Sequence, residues 1–224
     1  MGVVSIRVLV VDDDPLVRSA LGLMLGGQPD VEVVGEAANG REGLALAGSL
    51  RPDVVLMDIR MPVLDGLTAT RELHRIPQLQ PQPPHVIVLT TFDADDHVVE
   101  ALGAGADGFL LKDTPPGQIL DAIRAVAAGD PMLSPSVTRT LIERLRSGPD
   151  SGRVAAAEGR LALLTDRERD VALAVGRGLS NAEIAGELHL SVPTVKAHVS
   201  RLFDKLMVTN RVQIAICVHD AGLV

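Results

Sequence analysis

Three carboxylates, a hydroxyl and an ammonium recur at one kind of position in the first half of this sequence. Asp12 and Asp13 follow the apolar run Ile6 to Val11, Asp58 follows Val54-Val55-Leu56-Met57, Thr90 follows Val86 to Leu89, and Lys112 follows Phe109-Leu110-Leu111. Singly, each has an ordinary reading: an Asp after a strand is a turn residue or helix cap, a Thr a strand residue, a Lys a solvated surface group. Five such positions with compatible chemistry are another matter. Three carboxylates gathered in one pocket repel one another, so the arrangement calls for a cation, and an all-oxygen set that keeps some waters suits Mg²⁺. A hydroxyl and an ammonium beside that cation are what a phosphoryl group needs, because its transfer depends on positioning and on neutralising its oxygens. The pattern points to phosphoryl chemistry on a carboxylate.

The elements that must position these groups follow from pattern. Short β-rich runs at about 6–11, 31–37, 53–57, 86–90 and 107–111 alternate with helix-like segments at Pro15 to Leu25, Gly40 to Leu50, Gly66 to Arg75, Ala94 to Gly103 and Pro116 to Ala128. Strict alternation implies a parallel sheet covered by helices on both faces, and five strands suit a flavodoxin-like (βα)5 fold. Ligands of such sheets bind at the carboxyl ends of the strands, where the five candidate residues stand.

After Gly129-Asp130-Pro131 the strand signals stop. Ser134 to Arg146 reads as a helix and Ser147 to Gly152 as a break of linker composition. Thr165-Asp166-Arg167-Glu168 and Ser180-Asn181-Ala182-Glu183 each show the capping-box pattern, Ser191 is placed to cap a third helix to about Lys205 with Pro193 in its first turn, and a fourth follows Thr209-Asn210. The expected layout is an α/β domain over 1–130, a linker with a helix over 131–160 and an all-α helix-turn-helix domain over 161–224. In the third helix Val195, Val199, Leu202 and Leu206 fall on one stripe, while Ala197 and Ser200 lie opposite, flanked by Lys196 and Arg201. Small residues between two cations suit close approach to a DNA groove, although a solvated charged face would look the same and Asp204 near that face favours it.

Net charge is −8, but it is uneven. Residues 1–130 carry 19 acidic and 9 basic side chains, and residues 131–224 carry 10 and 12, which suggests two modules with different partners. The single cysteine, Cys217, excludes an intrachain disulfide and fits a reducing compartment, so the cytoplasm is expected. The apolar stretch at the N-terminus is too short for a signal peptide or a membrane span.

The first half resembles the receiver domains of two-component response regulators through Val10-Val11-Asp12-Asp13, Leu56-Met57-Asp58-Ile59-Arg60-Met61-Pro62, Asp65-Gly66, Leu89-Thr90 and Gly108-Phe109-Leu110-Leu111-Lys112. That resemblance implies that Asp58 accepts a phosphoryl group from the phosphohistidine of a sensor histidine kinase. It implies Mg²⁺ held by Asp13, Asp58 and the Arg60 carbonyl, with Asp12 acting through water. Lys112 would pair with the phosphoryl oxygens, Thr90 would move to bond the phosphate, and Phe109 would swing inward into the space vacated. Asp113 stands where the family often has proline. Residues Thr165 to Ile216 resemble the DNA-binding domain of the NarL, FixJ and LuxR regulators through Leu164 to Glu168, Gly178 to Ala185 and Ser191 to Val199. This likeness implies promoter DNA contacts from Thr194, Lys196, Ala197, Ser200 and Arg201, and a homodimer contact, formed on phosphorylation, through Val212, Ala215 and Ile216. A core role for some of these three is an equal reading. RNA polymerase is a further partner if the regulator activates.

Such a protein is a phosphoryl acceptor that helps catalyse its own phosphorylation and dephosphorylation rather than an enzyme. Two rivals stand beside it. An Mg²⁺-dependent aspartyl-phosphate phosphatase also combines Asp, Thr and Lys at strand ends, but its nucleophile would lie in an Asp-x-Asp motif on the first strand, whereas the best-placed nucleophile here, Asp58, comes from the third. A constitutive or ligand-sensing DNA-binding regulator with an inactive receiver is the other.

Overall fold

A computed structural model of the chain describes residues 5–79, 83–90, 94–133 and 151–224. The chain divides into two units, residues 1–138 and 139–224. The first contains β1 (Ile6–Val11), α1 (Pro15–Leu25), β2 (Val31–Ala37), α2 (Gly40–Leu50), β3 (Val54–Asp58), α3 (Gly66–Leu73), β4 (His85–Thr90), α4 (Ala94–Ala104), β5 (Gly108–Leu111), α5 (Pro116–Ala127) and β6 (Met132–Leu133). All strand pairs are parallel, in the order β2-β1-β3-β4-β5-β6.

The middle strands are buried on both faces, which is why they read as continuous apolar runs and not as alternating ones. All five residues of β3 are buried. Val8, Val10, Val54, Leu56, Ile87 and Leu89 share one apolar cluster with Leu21 and Leu25 of α1 and Ile119 and Ile123 of α5. The chain passes from β1 to β2 on one side, then crosses back to β3 on the other and continues outward, so the switch point of the sheet lies between β1 and β3.

The five expected strands and five helices are present. The expectation that strand signals end at Pro131 is corrected by β6, whose two residues pair with Gly108 and Phe109 of β5. Two residues between a proline and a serine are too few to carry a period.

The second unit contains α6 (Ser151–Leu161), α7 (Asp166–Gly176), α8 (Asn181–Glu187), α9 (Val192–Leu206) and α10 (Arg211–Asp220). Both capping boxes form: Thr165 and Ser180 accept the N–H groups of Glu168 and Glu183, whose carboxylates take the cap N–H groups in return. Ser191 and Asn210 cap α9 and α10. Val195, Val199, Leu202 and Leu206 are all buried, as their spacing predicts. The break expected at 147–152 is shorter on its far side, because α6 starts at Ser151, and the second unit begins earlier than the expected residue 161 because Ala157 and Leu161 belong to its core. The helix expected over Ser134 to Arg146 lies outside the described residues.

Candidate functional site

Four of the six strands of the first unit, β1, β3, β4 and β5, deliver a polar residue to the same edge. Asp58 is the last residue of β3, Thr90 the last of β4, and Asp12 and Lys112 follow β1 and β5 directly. One carboxylate oxygen from each of Asp12, Asp13 and Asp58 lies within 4.8 Å of the others. Asp12 and Asp58 are buried and Asp13 is exposed, so the cluster has two inner members and one facing outward. An all-oxygen set of three carboxylates fits a hard divalent cation such as Mg²⁺.

Lys112 Nζ stands 2.7 Å from Asp12 Oδ2 and 3.1 Å from Asp58 Oδ2. Burial pushes the Asp58 carboxyl above its ordinary value, an effect that Lys112 opposes and Asp12 reinforces. For Lys112 burial acts downward, but the two carboxylates outweigh it and the ammonium is held above its ordinary value. The pocket therefore keeps its lysine charged beside a carboxylate that is disfavoured as an anion, a state that a second cation would relieve.

The backbone is fixed around these groups. Asp12 Oδ1 accepts the Asp14 N–H at 2.9 Å, and Asp14 Oδ1 accepts the Leu16 N–H at 2.8 Å to cap α1. Asp58 Oδ1 accepts the Ile59 N–H at 2.8 Å. The Lys112 N–H reaches the Thr90 carbonyl at 2.8 Å, which ties the ends of β4 and β5 together. Thr90 is buried, Arg60 is exposed in the loop after β3, and Phe109 is 0 % exposed, so Phe109 already occupies an inward position. In that loop Val63 takes a positive φ of 70°, with the Leu64 N–H bonded to the Pro62 carbonyl at 2.8 Å.

In the second unit Thr194, Lys196, Ala197, Ser200 and Arg201 are all exposed on the side of α9 away from its buried stripe, and Asp204 is exposed too. Val212 is buried, Ala215 packs on the core of its own unit, and Ile216 is half-buried. Of the three residues expected at a dimer contact, Ile216 is the one that the core leaves most open.

Residues 8–124 match the response regulator receiver domain, and residues 162–218 match the bacterial regulatory proteins of the luxR family. The chain belongs to the LuxR-type two-component response regulators. The regulator is 41 % identical over 219 residues to the transcriptional regulatory protein LiaR of Bacillus subtilis, covering 98 % of this chain and 99 % of that one. Against the response regulator protein VraR of Staphylococcus aureus the identity is 38 % over 221 residues, with 98 % and 99 % covered. Among solved structures it resembles the response regulator ChrA of a heme-sensing two-component system, with 35 % identity, a TM-score of 0.52 and full coverage of both chains. No helix among the regulator's described residues is long and apolar enough to cross a membrane.

Several residues that hold these sites carry no signal in a single sequence. Arg18 Nη1 donates to the Asp12 carbonyl at 2.7 Å, joining α1 to the floor of the pocket, yet in sequence it is one arginine on a helix. A Cβ on Gly66 would lie 1.8 Å from the Asp58 carbonyl oxygen, so this glycine is required by close approach; Asp65-Gly66 entered only through the family likeness. Arg211 is buried and joins α10 to α8, donating to Asn181 Oδ1 at 2.8 Å and to the Leu179 carbonyl. Lys205 Nζ reaches Glu168 Oε2 at 2.7 Å, tying α9 to the start of α7.

Proposed function

We propose that this response regulator accepts a phosphoryl group on Asp58 from a sensor histidine kinase in the cytoplasm and, so modified, binds promoter DNA as a homodimer to control transcription, meeting RNA polymerase where it activates. The observation that carries this reading is the meeting of Asp12, Asp13, Asp58 and Lys112 at the switch point of the sheet.

Asp13, Asp58 and the Arg60 carbonyl would hold Mg²⁺, with Asp12 acting through water, and the ion would neutralise charge on the phosphoryl oxygens during transfer. An Asp58 carboxylate oxygen attacks phosphorus, the bond to the kinase imidazole nitrogen breaks, and that nitrogen keeps the electron pair. Lys112 turns from Asp58 Oδ2 to a phosphoryl oxygen, and the Thr90 hydroxyl donates to another. These side chains act on the regulator's own carboxylate, which makes the protein an acceptor that assists its own phosphorylation and hydrolysis and not an enzyme for free substrates. Phe109 lacks a hydroxyl, so the switch works through packing. Only a few kcal/mol of preference for the DNA-competent state are needed to change its population widely.

In the second unit, Lys196 and Arg201 meet phosphates or guanine edges, while Thr194, Ala197 and Ser200 face the groove between them. Ile216 contributes to the dimer contact beside Val212 and Ala215.

Mass spectrometry after incubation with Mg²⁺ and acetyl phosphate tests the central step. A single added phosphoryl group that is absent in Asp58→Ala is the expected result. Equal adducts on both proteins would move the acceptor elsewhere, and steady turnover of small phosphate esters would favour the phosphatase reading.

A further inference from the structure

Helix α6 lies just outside the matched luxR-family region, which begins at residue 162, and the segment leading into it has linker composition. Its packing is that of a core element. Ala157 and Leu161 are buried in the same apolar cluster as Leu202 and Leu206 of α9 and Cys217 and Val218 of α10, and α6 contacts both of those helices. Arg160, one residue from the end of α6, sends Nη1 to the Leu206 carbonyl at 3.5 Å and Nε to the Ala156 carbonyl of its own helix at 3.4 Å.

Leu206 is the last residue of α9, and the carbonyls of a last helical turn have no partner within the helix. A guanidinium there supplies a donor and meets the negative end of the helix dipole. Met207 then turns the chain out of the helix with φ 55°. The C-terminal end of α9 thus rests on α6 through Arg160 and on α7 through the Lys205–Glu168 pair.

We propose that α6 is a working part of the DNA-reading module and not a tether, with Arg160 as a positioning residue that sets the angle at which α9 presents Lys196 and Arg201. The inference rests on the reading of α9 as the DNA-reading helix. A cation that touches the helix end and no phosphate should alter recognition of sequence without altering the count of released counterions, whereas a purely core-filling helix should alter neither while the protein stays folded.

The experiment uses the full chain and two duplexes of equal length, one carrying a sequence enriched by the wild-type protein from a random library and one of scrambled sequence. Thermal unfolding establishes that each variant is folded at the binding temperature. Arg160→Ala should lower affinity for the enriched duplex about fivefold, the scale of one mildly mismatched base pair, and leave the scrambled duplex and the salt slope unchanged. Arg160→Lys, which keeps a cationic donor, should recover most of the loss. Leu161→Ala should act in the same direction if it folds. Lys196→Ala is the control and should reduce the salt slope by about one unit. A folded Arg160→Ala protein with wild-type affinity, or with equal losses on both duplexes, overturns the proposal. So does a reduced salt slope, which would put Arg160 on a phosphate. If Lys196→Ala and Arg201→Ala both bind as wild type, the reading of α9 fails first and the role of α6 falls with it.

Discussion

Lys112 stands closer to Asp12 than to Asp58, at 2.7 Å against 3.1 Å, so one ammonium is shared between two buried carboxylates. Losing it leaves two buried like charges facing each other and removes the group placed to meet a phosphoryl oxygen. Lys112→Ala should therefore slow modification of Asp58 by acetyl phosphate about 100-fold, the usual scale for loss of one preorganised electrostatic partner. The time course of adduct formation checks this, and a near wild-type rate would take Lys112 out of the chemistry.

The carboxylate cluster predicts a linkage. A cation that binds Asp12, Asp13 and Asp58 together relieves their repulsion only in the folded state, so millimolar Mg²⁺ should raise the melting temperature of the first unit. Asp13→Asn removes the exposed ligand while leaving the buried pair with Lys112, and most of the gain should vanish. Calorimetry with and without Mg²⁺ reads both effects; wild-type protein that gains nothing from Mg²⁺ would contradict the pocket as a cation site.

Acid should act on the second unit through Glu168. Its pKa is lowered from the ordinary 4.5 to about 2, first by the bond from Lys205 and then by the Thr165 N–H, with burial opposing. A depressed carboxylate pKa stabilises the fold fully above the unfolded value and loses that contribution as pH falls through the folded value. The stability difference between wild type and Glu168→Gln should be constant above about pH 4.5 and shrink between there and about pH 2. Urea titrations at stepped pH measure it, and a difference that stays flat across that window would exclude a specially held carboxylate.

Among the described residues four exposed non-glycine side chains, Arg51, Val63, His189 and Met207, sit in left-handed backbone that glycine tolerates better, and Val63 and Met207 are the apolar pair. Val63 has φ 70° and is 72 % exposed, and Met207 has φ 55° and is 87 % exposed. The left-handed region costs an L-residue roughly 1–2 kcal/mol, and a β-branched residue suffers most, while glycine's larger unfolded-state freedom returns part of the gain. Val63→Gly should stabilise the first unit by about 0.5–1 kcal/mol and Met207→Gly the second by a few tenths. Denaturant midpoints should rise in that order. A fall for Val63→Gly would mean that its side chain makes a contact worth more than the strain.

Much of this was legible from the residues. The four apolar runs that lead into Asp12, Asp58, Thr90 and Lys112 are legible because burial on both faces makes them nearly continuous, and Thr165, Ser180 and Ser191 announce helix starts because caps depend on local chemistry alone. What escaped was set by contact at a distance or by brevity. Met132 and Leu133 are too short to show a period, and Arg18, Lys205 and Arg211 act on partners that only the fold brings near. Helix α6 falls within the expected linker because the Ser147 to Gly152 run breaks the pattern where it begins, while the surfaces that bury Ala157 and Leu161 come later in the chain.

The contact between Gly66 and Asp58 has a mechanical meaning. With 1.8 Å between a would-be Cβ and the Asp58 carbonyl oxygen, and the Gly66 N–H bonded to the Ile59 carbonyl at 2.9 Å, backbone bears on backbone with no side chain between them. Lys112 reaches Asp58 through rotatable bonds that can absorb a displacement. The first turn of α3 has no such cushion. A shift of the Asp58 peptide would therefore press directly on the start of α3, which makes that helix a short mechanical route outward from the carboxylate pocket.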